Sequence, residues 1–212
     1  MTSIIILAAG KGSRMNLGYN KMNYQFLERP LYTYPIEKFK RLGYEDIILV
    51  CNEDIVYHNC RTVTGGKERM FSVYNGLKEA KGDYVMIHDG ARPFVSDNKI
   101  KEIEDALKTN DCVLLASKVK DTIKIYKDGY LETLDRNSLI AAETPQAFKK
   151  DLILNAMEKA INDKYLALDD VSIIEKYTDS KVKIIYNDSV NMKLTTKDDI
   201  VLAEYLFNKE MK

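Results

Sequence analysis

The sequence predicts an α/β fold: a doubly wound, mostly parallel sheet with an inserted β-arm. Short apolar runs recur along the chain, and amphipathic segments fill the intervals between them. Runs that are apolar nearly throughout suit strands covered on both faces, and their alternation with helices suits a parallel sheet. One segment breaks that rhythm, its apolar residues alternating around Lys127-Asp128-Gly129, which is a hairpin signal.

The elements follow in order. "SIIILAA" (3–9) reads as the first strand, and "TYPIEKFKRLG" (33–43) as a helix closed by its glycine. "DIILVCN" (46–52) is a second strand, and "SVYNGLKEAKG" (72–82) a second helix ending on glycine. "DYVMIHD" (83–89) comes next as a strand. In "NKIKEIEDALKTN" (98–110), Ile100, Ile103, Ala106 and Leu107 share one helical face. "CVLLASK" (112–118) is a strand, and "VKDTIKIYKDGYLETLDR" (119–136) holds two alternating strands. That insertion, about 118–143, is either a sheet edge or an arm reaching a neighbouring subunit. "DLILNAMEKAINDKY" (151–165), "VKIIYN" (182–187) and "KDDIVLAEYLFNKEM" (197–211) complete the pattern as helix, strand and helix. No repeat or linker interrupts it, so residues 1–212 are expected to form a single domain carrying the arm.

Composition narrows the chemistry. Lysine plus arginine equals aspartate plus glutamate at 32 each, and no basic stripe marks a nucleic-acid partner. Two histidines, His58 and His88, disfavour a His-dependent triad or a His-rich zinc site. Cys51, Cys60 and Cys112 lack CxxC spacing and are odd in number, which argues against a disulfide framework. No apolar run reaches transmembrane length and no signal-like segment opens the chain, so the expected setting is the cytoplasm, with no membrane partner.

Chemistry must then rest on Lys, Arg, Asp and backbone amides, at the carboxyl ends of strands where open α/β sheets bind ligands. The first such loop, "AAGKGSRM" (8–15), matches neither the Walker A order nor the dinucleotide fingerprint. Gly10 and Gly12 still permit close backbone approach to an anion, while Lys11, Arg14 and Lys21 add full charges. A solvated turn and a phosphate cradle both fit this loop. The second, "TGGKERMFSVYNGL" (64–77), sets Gly65-Gly66 before a helix opening near Ser72, whose hydroxyl is either a cap or a nucleotide contact. The third, "IHDGARPF" (87–94), ends a strand on Asp89, placed to hold Mg²⁺ beside substrate phosphates. His88 reads as local packing. Thr122, Arg136, Thr144 and Asp169-Asp170 read singly as surface residues, whereas Lys193 closes the last apolar strand region. Together, two glycine loops, a strand-end aspartate and basic residues suggest metal-assisted phosphoryl or nucleotidyl transfer.

The ordered set "LAAGKGSRM" with Lys21, "GGKERMFSVYNGL", "HDGARPF", "VKDTIK", "LDRNSL", "TPQAF", "LDDVSIIE" and "NMKLTTKDDI" spans residues 7 to 200. It resembles the 2-C-methyl-D-erythritol 4-phosphate cytidylyltransferases of the non-mevalonate isoprenoid pathway. The resemblance implies a Rossmann-like nucleotidyltransferase domain, CTP as co-substrate, Mg²⁺, and a homodimer clasped by the arm. It implies transition-state stabilisation by Arg14 and Lys21, and positioning of the acceptor phosphate by Lys193 and by Arg136, reaching across the dimer. By the same resemblance Asp89 binds Mg²⁺. Ala8, Ala9, Gly10, Lys11, Gly12, Gly65, Gly66, Ser72, Asp89 and Gly90 form the nucleotide site, and Arg92 and Thr122 lie near methylerythritol phosphate.

The chain departs from the family pattern at Leu168, where relatives carry threonine before two acidic residues, and at Val190 before the Asn-x-Lys motif. The loss at Leu168 leaves a ribitol 5-phosphate cytidylyltransferase as an alternative, although Ala8-Ala9-Gly10 and Gly90-Ala91-Arg92 favour methylerythritol phosphate. A catalytically silent nucleotide-binding relative is the other alternative, because fold alone does not guarantee function.

Overall fold

The computed structural model describes residues 1–10, 15, 19–53, 55 and 57–210. Its strands are β1 (Thr2–Leu7), β2 (Gln25–Phe26), β3 (Arg29–Pro30), β4 (Ile47–Cys51), β5 (Arg61–Thr64), β6 (Tyr84–Asp89), β7 (Cys112–Lys118), β8 (Lys124–Lys127), β9 (Tyr130–Thr133), β10 (Ile140–Lys149) and β11 (Val182–Tyr186). Its helices are α1 (Thr33–Arg41), α2 (Arg69–Glu79), α3 (Asp97–Leu107), α4 (Lys150–Asn162), α5 (Val171–Tyr177) and α6 (Lys197–Glu210). Seven strands form one sheet in the order β11-β7-β10-β6-β1-β4-β5. All run parallel except β10, which is antiparallel to both β6 and β7.

Both faces of the sheet are covered, which is why β1 and β4 are apolar on successive residues. Ile4, Ile6 and Leu49 face α1, α3 and α6 through Phe39, Ile100, Ile103 and Ala203. Ile5, Ile48 and Val50 face α2, α4 and α5 through Val73, Leu77, Met157 and Ile174. The doubly wound, mostly parallel expectation therefore holds.

The five strands read from apolar runs are all present, within a residue or two of their expected ends. Gly43 closes α1 with φ +92°, its amide donating to the Lys40 carbonyl. The second helix differs: α2 opens at Arg69 rather than near Ser72, and it ends at Glu79. Gly82 is no cap, for a methyl group there would meet the Met1 carbonyl oxygen at 2.5 Å. It is glycine because the chain passes close against β1.

Four strands were absent from the sequence reading: the two-residue pair β2 and β3, the edge strand β5 and the central strand β10. The edge strand β5 is only four residues long and alternates between half-buried and exposed. β10 contains Pro145 among Glu143, Thr144 and Gln146, a composition that argues against a central strand. A register shift against β7 between Ala142 and Gln146 accommodates it, as a bulge does. The helix α5, within "LDDVSIIE", was also missed.

The predicted hairpin forms as β8 and β9, a separate two-stranded sheet whose residues are all exposed. Asp128 at φ 51° and Gly129 at φ 84° make its turn, both positive as a two-residue hairpin turn requires. The arm leaves the main sheet where Lys118 pairs with Ile140, and it is not an edge of that sheet.

Candidate active site

β1 hydrogen-bonds to β4 on one side and β6 on the other, so the chain's winding reverses beside it. Such a switch point opens a crevice at the strand ends. A cavity of about 670 Å³ lies there, bordered by Ala9, Gly10, Lys21, Gly66, Ser72, Asp89 and Lys193 among others. Seven residues singled out from sequence thus share one space.

The loops after β1, β4 and β5 are held against one another. The Asn52 side chain donates to the Ala9 carbonyl at 2.9 Å, and a methyl group on Gly65 would come within 2.2 Å of the Ala9 Cβ. Ser72 accepts from the Gly66 amide at 3.0 Å and donates to the Glu68 carbonyl at 3.3 Å. The hydroxyl therefore ties the loop to the first turn of α2, from inside the helix rather than at its cap. On Gly66 a methyl group would meet the Phe71 Cβ at 2.3 Å, so only glycine permits the close turn. Among the described residues, a methyl group on Gly10 would meet nothing within 4 Å.

Asp89 ends β6 and is nearly buried at 7% exposure. Among the described residues, three cations converge on its carboxylate. Lys193 Nζ lies 2.9 Å from Oδ2, Arg92 Nε 3.3 Å from the same oxygen, and Arg69 Nε 3.7 Å from Oδ1. Burial disfavours the charge, yet Lys193, Arg69 and Arg92 outweigh it and hold the carboxyl well below the usual carboxylate range. Gly90 follows, its amide donating to the Leu7 carbonyl at 2.9 Å. Arg92 Nη1 donates to the Asn191 carbonyl at 2.7 Å, which fixes the turn that carries Lys193.

Lys21 begins a single 3₁₀ turn capped by the Asn20 side chain, which accepts from the Met22 amide at 3.0 Å. It is only 6% exposed, and its Nζ donates to the Leu194 carbonyl at 3.0 Å. From this position it borders the cavity, with Asp199 as an acidic neighbour. Lys11, Gly12 and Arg14 lie outside the described residues.

His88 does not line the cavity. It is fully buried, accepting at Nδ1 from the Thr144 hydroxyl at 3.1 Å and donating from Nε2 to the Arg92 carbonyl at 3.0 Å. The Thr144 hydroxyl accepts in turn from the Asp89 amide at 3.1 Å, which sets the direction of the chain of bonds. Burial pushes the imidazole down to about 4. The unfolded state, with an ordinary value near 6.5, then binds more protons below that pH, so stability falls as pH drops from about 6.5 to about 4. The expected loss is about 3 kcal/mol, and a His88→Asn variant should show a flatter pH dependence. Melting temperatures measured across that window check it, and parallel curves would contradict it.

Sequence reasoning missed Arg69 and misplaced Asp170. Read as a surface residue, Asp170 is 1% exposed and accepts from both Nη atoms of Arg69 at 2.8 Å. No local pattern marks such a partner, because 101 positions separate the two. The remaining candidates do not reach the cavity within one chain. Arg136, in a 3₁₀ turn at the arm's base, is exposed and donates to the Lys120 carbonyl at 2.8 Å, and Thr122 is exposed nearby. Leu168 is 95% exposed and does not border the cavity.

No group of three or more His, Cys, Asp or Glu side chains gathers for a metal among the described residues. One ionised, hard-oxygen donor facing a cationic cavity is compatible with Mg²⁺, which takes one or two carboxylates and completes its shell with phosphates and water.

The family model described as 2-C-methyl-D-erythritol 4-phosphate cytidylyltransferase (IspD) matches residues 2–209. A relative of that name from Clostridioides difficile (strain 630) is 39% identical, the match covering 99% of this chain and 95% of the relative. Another from Geobacillus kaustophilus (strain HTA426) is 41% identical over 98% of this chain and 97% of its own. Among solved structures, 4-diphosphocytidyl-2C-methyl-D-erythritol synthase from Anaerococcus prevotii DSM 20548 superposes with a TM-score of 0.85 at 32% identity, covering 98% of each chain.

Proposed function

Because the chain belongs to the 2-C-methyl-D-erythritol 4-phosphate cytidylyltransferase family, we propose that it transfers the CMP moiety of CTP to 2-C-methyl-D-erythritol 4-phosphate, giving the diphosphocytidyl alcohol and pyrophosphate. It is a nucleotidyltransferase enzyme. The observation that carries the reading is the strand-end cavity in which Lys21, Lys193 and an ionised, buried aspartate stand together.

The chemistry follows from charge. The acceptor is a phosphate monoester and already anionic, so it attacks the α-phosphorus in line without a general base and without a covalent intermediate. Its obstacle is repulsion from the triphosphate, together with charge gathering on the departing pyrophosphate. Lys21 and Arg14 stabilise that charge at the α-phosphate. The backbone around Ala8, Ala9, Gly10, Lys11, Gly12, Gly65, Gly66 and Gly90, with the Ser72 hydroxyl, holds the nucleotide. Asp89 would hold Mg²⁺, which would supply charge to neutralise the triphosphate. Lys193 positions the acceptor phosphate, assisted by Arg136 of the partner subunit. Arg92 and Thr122 stand on the acceptor side, Arg92 also bordering a second cavity of about 740 Å³ with Lys118 and Lys120.

We read the arm as clasping a second copy. Tyr126, Tyr130 and Leu131 project from it at 73%, 81% and 66% exposure, an apolar surface that a monomer rarely leaves in water. The single domain with its arm would then work as a homodimer. No helix among the described residues is long and apolar enough to cross a membrane, and the cytoplasm is the proposed setting. Leu168, the departure that kept ribitol 5-phosphate open, stands away from the cavity.

The test is pyrophosphate release from CTP and Mg²⁺ with methylerythritol 4-phosphate or ribitol 5-phosphate as acceptor, with sedimentation of the same preparation. Preference for the first acceptor and a dimeric mass are expected. Preference for ribitol 5-phosphate would move the acceptor assignment, release with neither would sink the activity, and a monomer would sink the role given to the arm.

A further inference from the structure

Arg69 breaks a local rule. It is the first residue of α2, where the helix dipole favours anions, and no acidic residue occupies that turn. Asp170 breaks a second. It stands at the cap position of α5, where aspartate ordinarily accepts from the helix amides, yet it makes no capping bond. Asp169 accepts from the Ser172 amide at 3.0 Å instead, and both Asp170 oxygens go to Arg69. Two residues that forgo their favoured local roles to meet each other indicate a functional constraint.

The pair is anchored from behind. Gln146 Oε1 accepts from the Asp170 amide at 3.0 Å and the Val171 amide at 3.1 Å, while Gln146 Nε2 donates to Asp169 at 3.0 Å. The central strand β10 thus sets the position of Asp170, and Asp170 sets the plane of the guanidinium with a two-point fork. Its Nε then faces Asp89 Oδ1 while Lys193 and Arg92 hold Oδ2. Burial disfavours the Arg69 charge, but Asp170 and Asp89 hold it firmly ionised.

We propose that Arg69, oriented by Asp170, is a positioning residue that braces the Asp89 carboxylate for the metal-bound triphosphate. This rests on the nucleotide reading above. Among the described residues, Lys193 and Arg92 alone would leave Asp89 Oδ1 without a cation, and a carboxylate freer to rotate presents a poorer ligand. Partners of this outer kind typically affect metal affinity or activity about 10–100-fold.

A double variant, Arg69→Met/Asp170→Leu, tests the proposal, since exchanging a buried ion pair for apolar residues is often neutral for stability. Thermal melting, calorimetric titration of CTP in Mg²⁺, and the KM for each substrate are measured beside the parent enzyme. The expected result is a melting point within a few degrees of the parent, CTP affinity weakened about tenfold or more, and acceptor KM changed less than about threefold. Parental CTP affinity in a folded double variant overturns the proposal, as does equal weakening for both substrates. Should the double variant fail to fold, Arg69→Lys keeps the charge and loses the fork. About tenfold weaker CTP binding is expected of it, and parental affinity overturns the proposal. Calorimetry needs no turnover, so a parent that binds CTP but transfers to neither acceptor would refute the activity while still deciding the role of Arg69. A parent that does not bind CTP at all refutes both.

Discussion

Asp89→Asn is expected to lower turnover about a thousandfold, equivalent to about 4 kcal/mol of lost transition-state stabilisation. Asparagine keeps the shape, so the strand and the Gly90 turn remain, and only the charge is removed. Two consequences follow. The proposed Mg²⁺ loses the carboxylate assigned to it, and Lys193, Arg92 and Arg69 face each other around a neutral amide. Lys193 is then free to pair with the triphosphate rather than await the acceptor, so the apparent acceptor affinity falls with kcat. Repulsion among the cations should also cost stability, about 1–3 kcal/mol or several degrees in melting temperature for a chain of this size. Steady-state kinetics and a melting curve check both. Near-parental turnover would remove Asp89 from the mechanism.

Lys21→Ala is the second large effect, about 100- to 1,000-fold in kcat. Its Nζ is buried at the cavity edge and donates to the Leu194 carbonyl at 3.0 Å. A full positive charge fixed at the cavity wall stabilises negative charge that gathers on a phosphate bound there. Alanine also removes a packed stem and leaves that carbonyl without its donor, a cost of about 1 kcal/mol. Lys21→Met separates the two effects because it keeps the stem. Equal kcat losses in both variants are expected, and recovery of turnover in Lys21→Met would assign the effect to packing rather than charge.

Much of the fold was legible because its signals are local. β1, β4, β6, β7 and β11 announce themselves through apolar runs, and the hairpin through Asp128-Gly129. β10 did not. Its Pro145 and polar neighbours are tolerated because a register shift meets them, and that depends on how β6 and β7 lie on either side. The same division runs through the site. Glycine loops and a strand-end aspartate carry recognisable spacing, so Gly10, Gly65, Gly66 and Asp89 could be named in advance. Arg69 was passed over beside Gly66 because an arginine opening a helix has no local meaning, and Asp170 because a loop carboxylate normally faces water. Thr122 and Arg136 carry recognisable motifs but stand on the arm, outside the cavity of their own chain.

By itself the sequence determined most of the succession of strands and helices, the close turns that only glycine permits, and the lysine, arginine and aspartate candidates for a chemistry with little histidine to draw on. These rest on periodicity and residue type, which act over a few neighbouring positions. Only the tertiary structure decided that Arg69, Arg92 and Lys193 converge on Asp89, and that Asp170 is buried to aim one of them. The physical reason is range. A buried charge is tolerable only beside its partners, and those partners come from distant elements that meet when the sheet is assembled.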